Sequence, residues 1–342
     1  MFQIINPTEI ESWDDQVKGL PGSSFFHGRA WAKVLADSYG YRPVYFTERE
    51  GSLAAVIPMM EVSSFLTGKR AVSLPFTDYC EPLVPHTEVS KVLFEAIIQE
   101  GRNRQWKYIE LRGGADFLGD GPASAWFYRH TLDLTPGDAK LFKSLRDSTR
   151  RNIKKAEKEG VEVRFGNSPE ALREFYRLNC LTRREHGLPP QPWRFFANLH
   201  EQILSKEMGS MALAYFRGNA IAANVYLHSN GQAIYKYGAS DKMHQNLRAA
   251  NLVMWEAIKR YAGEGVKSLC FGRTEPGNEG LRQFKSGWGT DEQVINYYRY
   301  DLAANAFVPG KEIVSNRANQ VFSNLPIAAL KIIGGMLYRH VG

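Results

Sequence analysis

The sequence predicts an α/β (α+β) protein of two successive units, each a mixed sheet with helices on its flanks. Three observations carry this. The chain has 342 residues, more than one average domain needs. Short apolar or alternating runs bounded by Gly, Pro and Asn recur between stretches of helical periodicity. After an interrupting charged segment, a similar order of elements starts again near Gly160, which reads as a duplication of one α/β unit without detectable sequence repeats.

In the first unit, Asn6-Pro7-Thr8-Glu9 precedes a helix, with Thr8 the expected N-cap. A second helix covers 31–38 and ends at Tyr39-Gly40. Residues 43–48, 52–62 and 69–74 read as strands, with Gly51 and Gly68 at the turns. An amphipathic helix over 90–101 puts Val92, Leu93, Ala96 and Ile97 on one face, and 108–112 and 127–134 are further strands.

Residues 138–160, DAKLFKSLRDSTRRNIKKAEKEG, carry eight Lys or Arg against four Asp or Glu, so the segment is strongly cationic. In one continuous helix, Arg146, Arg150, Lys154 and Lys158 share a face, and Arg151 adjoins it. The alternative is a break, with Ser148 or Thr149 capping a second short helix. The segment is either a solvated helix face or a ridge for phosphate or RNA. No aromatic residue interleaves with these cations, so base stacking is not expected there.

The second unit begins with a strand at 161–165. A helix over 169–185 follows, with Ser168 as N-cap and Pro169 in the first turn. A Pro-rich loop leads to a helix over 195–205. Strands at 211–216, 220–228 and 232–238 follow, the first two joined through Arg217-Gly218-Asn219 as a hairpin. A helix over 246–263, a strand over 266–271, a short helix and a strand over 293–301 complete the unit. The tail, 316–342, is helical and weakly amphipathic, a pattern that suits packing on the body or resting on a membrane surface.

Composition excludes several classes. Hydrophobic content of 44% and charged content of 23% are those of a globular protein with real cores. A net charge of +7 favours an anionic partner: RNA, a phosphate-bearing substrate or a membrane surface, with DNA not expected. Cys80, Cys180 and Cys270 are isolated from one another and from His, so a reducing compartment and no metal are expected. The first residues lack a signal-peptide pattern, and the apolar run 325–337 is too short to span a bilayer and contains Lys331. A cytoplasmic placement follows, membrane-peripheral at most. There is no Walker loop, no dinucleotide fingerprint, no H-E-x-x-H and no G-x-S-x-G, so kinase, hydrolase and zinc chemistry have no support.

The chemistry is expected in 265–289, GVKSLCFGRTEPGNEGLRQFKSGWG. A buried strand runs into a Gly- and Pro-containing turn, then into a short helix bearing Leu281, Phe284 and Lys285, and Trp288 closes the stretch. Strand ends deliver side chains to a sheet edge, where ligand sites lie. Lys285 between Phe284 and Trp288 would have apolar walls, and a cation in a partly dry site stabilises a developing negative charge. The bland reading is a surface lysine beside two core aromatics.

Five stretches in register carry a resemblance: STRRNIKKAEKEGVEVRFGNSPEALREFYRLN, TRREHGLPP, IYKYGAS, the helix around Trp255, and FGRT followed by GLRQFKSGWG. Over 138–290 the chain resembles the Fem family of aminoacyl-tRNA-dependent peptidyltransferases, which build cross-bridges on peptidoglycan precursors. FFHGRAWAKVLADSYGYRPVYF is similar to the family's opening segment. The nearest subgroup is the Fem-like proteins linked to exopolysaccharide and protein-sorting systems. The resemblance implies two tandem GNAT-like acyltransferase domains, expected at 1–137 and 138–300, with the tail from 301 to 342 packed on the first. It implies that Lys285 stabilises the charge on the ester carbonyl, and that Tyr237, Phe284 and Trp288 shape the substrate site. Arg146, Arg150, Arg151 and Lys154 are the expected anion contacts.

The departures bear on the substrates. Leu35, Gln191 and Phe195 stand where the member using a UDP-linked muropeptide has a lysine, an arginine and a tyrosine, so its nucleotide contacts are lost here. Cys270 replaces a common acidic residue. In the CoA-type loop [QR]-x-x-G-x-[GA], Arg248 of Gln245–Ala250 replaces the central glycine, which hinders close backbone approach. No tightly bound cofactor is expected. Aminoacyl-tRNA, or else acyl-CoA, serves as co-substrate, and a cell-envelope precursor is the acceptor. The other classes left open are a CoA-dependent N-acyltransferase and a non-catalytic module for RNA or polysaccharide.

Overall fold

The computed structural model describes residues 2–84, 87–118, 121–310 and 321–342; the start of the expected tail helix, 316–320, lies outside the described residues. The chain divides into one unit of Met1–Phe127, Val294–Val314 and Met336–Gly342, and a second of Tyr128–Gln293 and Ser315–Gly335.

The first unit opens with β1 (Phe2–Ile5), a 3-10 turn at Pro7–Glu9 and α1 (Trp13–Lys18). The turn is capped by Asn6, whose side chain accepts from the Thr8 N–H at 3.1 Å; Thr8 is not the cap, because the turn starts at Pro7. Helix α2 (Arg29–Tyr39) ends on Gly40 at φ 72°. Then come β2 (Arg42–Pro43), β3 (Tyr45–Glu50), β4 (Ser52–Ile57), β5 (Met60–Ser64) and β6 (Gly68–Val72). The single strand expected over 52–62 is therefore two strands. Pro58 sits at the break, where it cannot donate to a ladder. The chain there leaves a small sheet, β1-β3-β4, for a larger one.

That larger sheet runs β2-β5-β6-β7-β14, with β7 at Tyr108–Arg112 and β14 at Asp291–Asp301; β15 (Ala306–Phe307) pairs with β14. Helix α3 (Thr87–Asn103) contributes Leu93 and Ile97 to a core with Phe46, Ile57, Trp106 and Leu111, and α4 (Ala115–Leu118) closes that side.

The second unit is one sheet of order β8-β13-β12-β11-β10-β9. Its strands are β8 (Ala125–Asp133), β9 (Glu162–Phe165), β10 (Gly209–Phe216), β11 (Asn219–Ser229), β12 (Gln232–Ser240) and β13 (Ser268–Thr274). Arg217-Gly218 and Asn230-Gly231 all have positive φ, the two-residue turn whose twist matches paired strands.

Three helices, α5 (Asp138–Ser144), α6 (Asp147–Lys158) and α9 (Ala249–Gly263), share a core with the sheet through Leu141, Ile153, Ala156, Leu252, Val253 and Trp255. The basic segment is thus two helices broken at Leu145-Arg146, earlier than a Ser148 or Thr149 cap would put it. Leu145 is 3% exposed with an extended backbone, so the break lets it enter the core. Helix α7 (Pro169–Glu185) begins as expected, Ser168 accepting from the Ala171 N–H at 3.2 Å; α8 (Trp193–Gln202) follows. Helix α10 (Glu279–Ser286) leads into β14, and α11 (Ile327–Val341) ends the chain.

Candidate active site

Strands β12 and β13 are parallel but pair only briefly, Gln232 to Ile234 against Ser268 to Cys270. Beyond that point β12 stays with β11 as far as Ser240, while β13 stays with β8 through Arg273 and Thr274. The two strands therefore part at their C-terminal ends, the place where open α/β sheets hold ligands.

A β-bulge shapes the β12 side. Val225 pairs with Tyr237 and Tyr226 with Tyr235, so Lys236 is an extra residue. The bulge turns consecutive tyrosines to opposite faces. Tyr235 packs on Tyr226 and Phe271, on the α9 side. Tyr237 packs on Phe175, Phe195 and Phe196 of α7 and α8, the nearest ring at 5.6 Å.

Lys285 lies on the β13 side, in a helix capped by Asn278. It is 2% exposed. Its ammonium donates to the carbonyls of Gly272, at 3.0 Å, and Arg273, at 2.9 Å, in the stretch of β13 that has left β12. A buried ammonium must be bonded, and these carbonyls meet that need. His130, fully buried on β8, has Nε2 3.0 Å from the Glu292 carboxylate, which Arg282 grips with two hydrogen bonds. Desolvation, then the nearby Lys285 charge, lowers the His130 pKa and keeps it neutral at pH 7. Trp288 is fully buried, its ring 5.9 Å from Phe284 and 6.3 Å from Phe271.

A cavity of about 550 Å³ opens at the start of α9, lined by Arg146, Asn152, His244, Arg248, Gln283 and Phe284 among others. The loop entering it is a 3-10 turn, Lys242–Leu247, held by Asp241, whose side chain accepts from the Met243 N–H at 3.0 Å. Arg248 then takes φ 59°, ψ 25°, a left-handed conformation, as the N-cap of α9. The first N–H groups of a helix have no partner within it and carry partial positive charge. The exposed Arg248 and Arg146 guanidiniums add full charges at the same wall. The arrangement fits a phosphate-bearing ligand.

The sequence-derived residues thus fall into separate places. Phe284 lines the cavity, and Trp288 backs it from the core. Lys285 turns away to the β13 main chain, and Tyr237 lies on the other face of the sheet. Of the four expected anion contacts, Arg146 lines the cavity. Arg150 bonds the Lys143 carbonyl at 2.7 Å and the Asp147 carboxylate, while Arg151 and Lys154 stay exposed on α6. Sequence reasoning missed Asn152 and His244 as site residues, and read Arg248 only as an obstacle in the CoA-type loop, not as a cation of the cavity wall. Their signal was position, Asn152 within α6 and His244 in the segment that opens α9.

Residues 143–286 match the family described as "Acetyltransferase (GNAT) domain". The protein is an acyltransferase of the GNAT fold. No curated protein matches in sequence. Among solved structures, the chain is similar to FemX at 13% identity and TM-score 0.68, over 86% of this chain and 96% of that one. It is also similar to the C-terminal domain of a putative lysylphosphatidylglycerol synthetase from Agrobacterium fabrum, at 11% identity and TM-score 0.57, over 86% and 92%. A tandem GNAT protein of the clavulanic acid biosynthesis pathway matches at 11% identity and TM-score 0.55, over 88% and 98%. At these identities the likeness is one of fold, and it is the tandem GNAT fold expected from the sequence.

Proposed function

We propose that the chain moves an aminoacyl group from aminoacyl-tRNA to an amine on a cell-envelope precursor, of peptidoglycan or exopolysaccharide, in the cytoplasm. The observation that carries the reading is Arg248: a bulky residue held in a left-handed conformation at the wall of the cavity of about 550 Å³ at the start of α9. That conformation costs a non-glycine residue roughly 1–2 kcal/mol, and glycine would supply it without strain. In this reading the arginine supplies what glycine lacks there, a positive charge for the donor's phosphates. Exposed Arg151 and Lys154 extend the positive surface along α6, which suits a polyanion longer than one pyrophosphate.

In the transfer, the acceptor amine attacks the ester carbonyl, the carbonyl oxygen becomes an oxyanion, and the tRNA hydroxyl leaves with the proton that the amine loses. In this reading Lys285, buried at the parted end of β13 and turned away from the α9 cavity, exchanges one of its two carbonyl partners for the oxyanion, while Phe284 lines the donor cavity. An ester is already activated, so no strong protein base is required. The cell-wall acceptor rests on the resemblance of 138–290 to the Fem family, by analogy alone; the likeness to FemX is one of fold.

Acyl-CoA is the second reading. The Gln245–Ala250 loop keeps its helix-opening geometry despite losing glycine, because Arg248 adopts the left-handed conformation that glycine favours. Titration with acetyl-CoA and with aminoacyl-tRNA, read by calorimetry and by filter binding, separates the two. Tight tRNA binding with transfer supports the first; tight acetyl-CoA binding alone replaces it with the second.

A further inference from the structure

Helix α11 is seated through Gly334 and Leu330 and leaves an apolar side uncovered. A Cβ at Gly334 would fall 2.0 Å from the Pro190 carbonyl oxygen, so the backbone lies directly on that loop, and Leu330 is fully buried. On the outer side Ile332 and, one turn on, Met336 are each 65% exposed. Beside Ile332, Trp193 at the start of α8 is 40% exposed. Tyr176, Pro192, Trp193 and Ile332 line an open apolar groove of about 580 Å³, rimmed by Arg173 and Lys331.

The charge around this surface is one-sided. Residues 321–342 contain no Asp or Glu, and neither do residues 186–200, while Arg194, Lys331 and Arg339 supply cations. Lys331 Nζ lies 5.1 Å from the Tyr176 ring centroid. Arg173 is paired with Glu170 at 3.3 Å, so its charge is partly met within the chain.

We propose that the outer side of α11 and the Pro192-Trp193 corner rest on an anionic phospholipid surface. Exposed apolar side chains, a tryptophan and an excess of flanking cations, Arg173 alone being paired with a carboxylate among the described residues, are the features of an interfacial contact. Each Lys or Arg close to an anionic leaflet adds to the attraction and makes it salt-sensitive. A second copy of the chain fits less well, since a two-fold contact through this patch would bring like charges together. No helix among the described residues is long and apolar enough to cross a membrane, so the contact is peripheral in geometry.

The test is cosedimentation of the full chain with vesicles of phosphatidylglycerol and phosphatidylcholine, against phosphatidylcholine alone. Wild type is expected to bind the anionic vesicles and to be released by salt. Ile332→Asp and Lys331→Glu, both at exposed positions, are expected to weaken that binding by about tenfold or more. Donor binding should stay unchanged in both variants, which separates this proposal from the reading of the α9 cavity. Failure of the wild type to bind, or binding untouched by the variants, overturns it. So does a dimer in sedimentation velocity that Ile332→Asp converts to monomer, which would assign the patch to a second copy.

Discussion

The Nζ atom of Lys285 lies 3.0 Å from the carbonyl oxygen of Gly272, and one residue further along β13 it meets the Arg273 carbonyl at 2.9 Å. A cation on α10 thereby fixes the end of the strand that has parted from β12. Lys285→Met keeps the length and removes the charge. It leaves buried carbonyls without a donor, at about 1–3 kcal/mol each. Under conditions where circular dichroism shows the variant folded, kcat is expected to fall by roughly 100-fold or more, with donor Kd nearly unchanged. Full kcat in the folded variant would leave Lys285 a structural tie only.

The wall carrying Arg146 depends on a close approach between α10 and α6. A Cβ at Gly287 would stand 2.8 Å from Thr149 Oγ1, and the Arg146 N–H donates to the Gly287 carbonyl at 3.0 Å. Gly287→Ala is expected to destabilise the protein by about 1–3 kcal/mol and to weaken donor binding, because it pushes the Arg146 wall outward. Adding Thr149→Ala should recover part of both losses, a coupling that a double-mutant cycle in urea measures. Strict additivity would show that the contact is not the cause.

Much of the second unit was legible. Ser168-Pro169 announced the start of α7 because both residues act locally, one through its hydroxyl and the other through its fixed φ. The turn at Arg217-Gly218 was visible for a similar reason. What the sequence concealed is set by tertiary structure. The Lys236 bulge has no residue signature, yet it decides which face Tyr237 takes, and so separates that tyrosine from Phe284. Arg248 hid the left-handed helix start because arginine seldom marks one. The break at Leu145 was obscured by charges that suit one helix as well as two.

His27 predicts the pH dependence of stability. Its ring is fully buried, with Nδ1 accepting from the Ser24 N–H at 3.0 Å and Nε2 2.8 Å from the Glu81 carbonyl oxygen. That pattern requires the neutral ring, and desolvation lowers the pKa below its ordinary value near 6.5. A lowered histidine pKa means that the unfolded chain binds the extra proton first. Stability is therefore present above about pH 6.5 and declines as pH falls below it, by at most about 1.4 kcal/mol per unit for each such group. His130 acts in the same direction. Urea denaturation across this range should show the decline, and His27→Gln should make it shallower; an unchanged slope in that variant would exclude His27 as a contributor.

The donor site is tested most directly at Arg248, by measuring Kd for acetyl-CoA and for aminoacyl-tRNA with the wild type and with Arg248→Gly. Glycine relieves the left-handed strain, so stability should hold or rise by up to about 1 kcal/mol, while the lost guanidinium should weaken binding of the true donor about tenfold or more. Equal affinity in the two proteins, or no binding of either donor by the wild type, would contradict the assignment of donor phosphates to the start of α9.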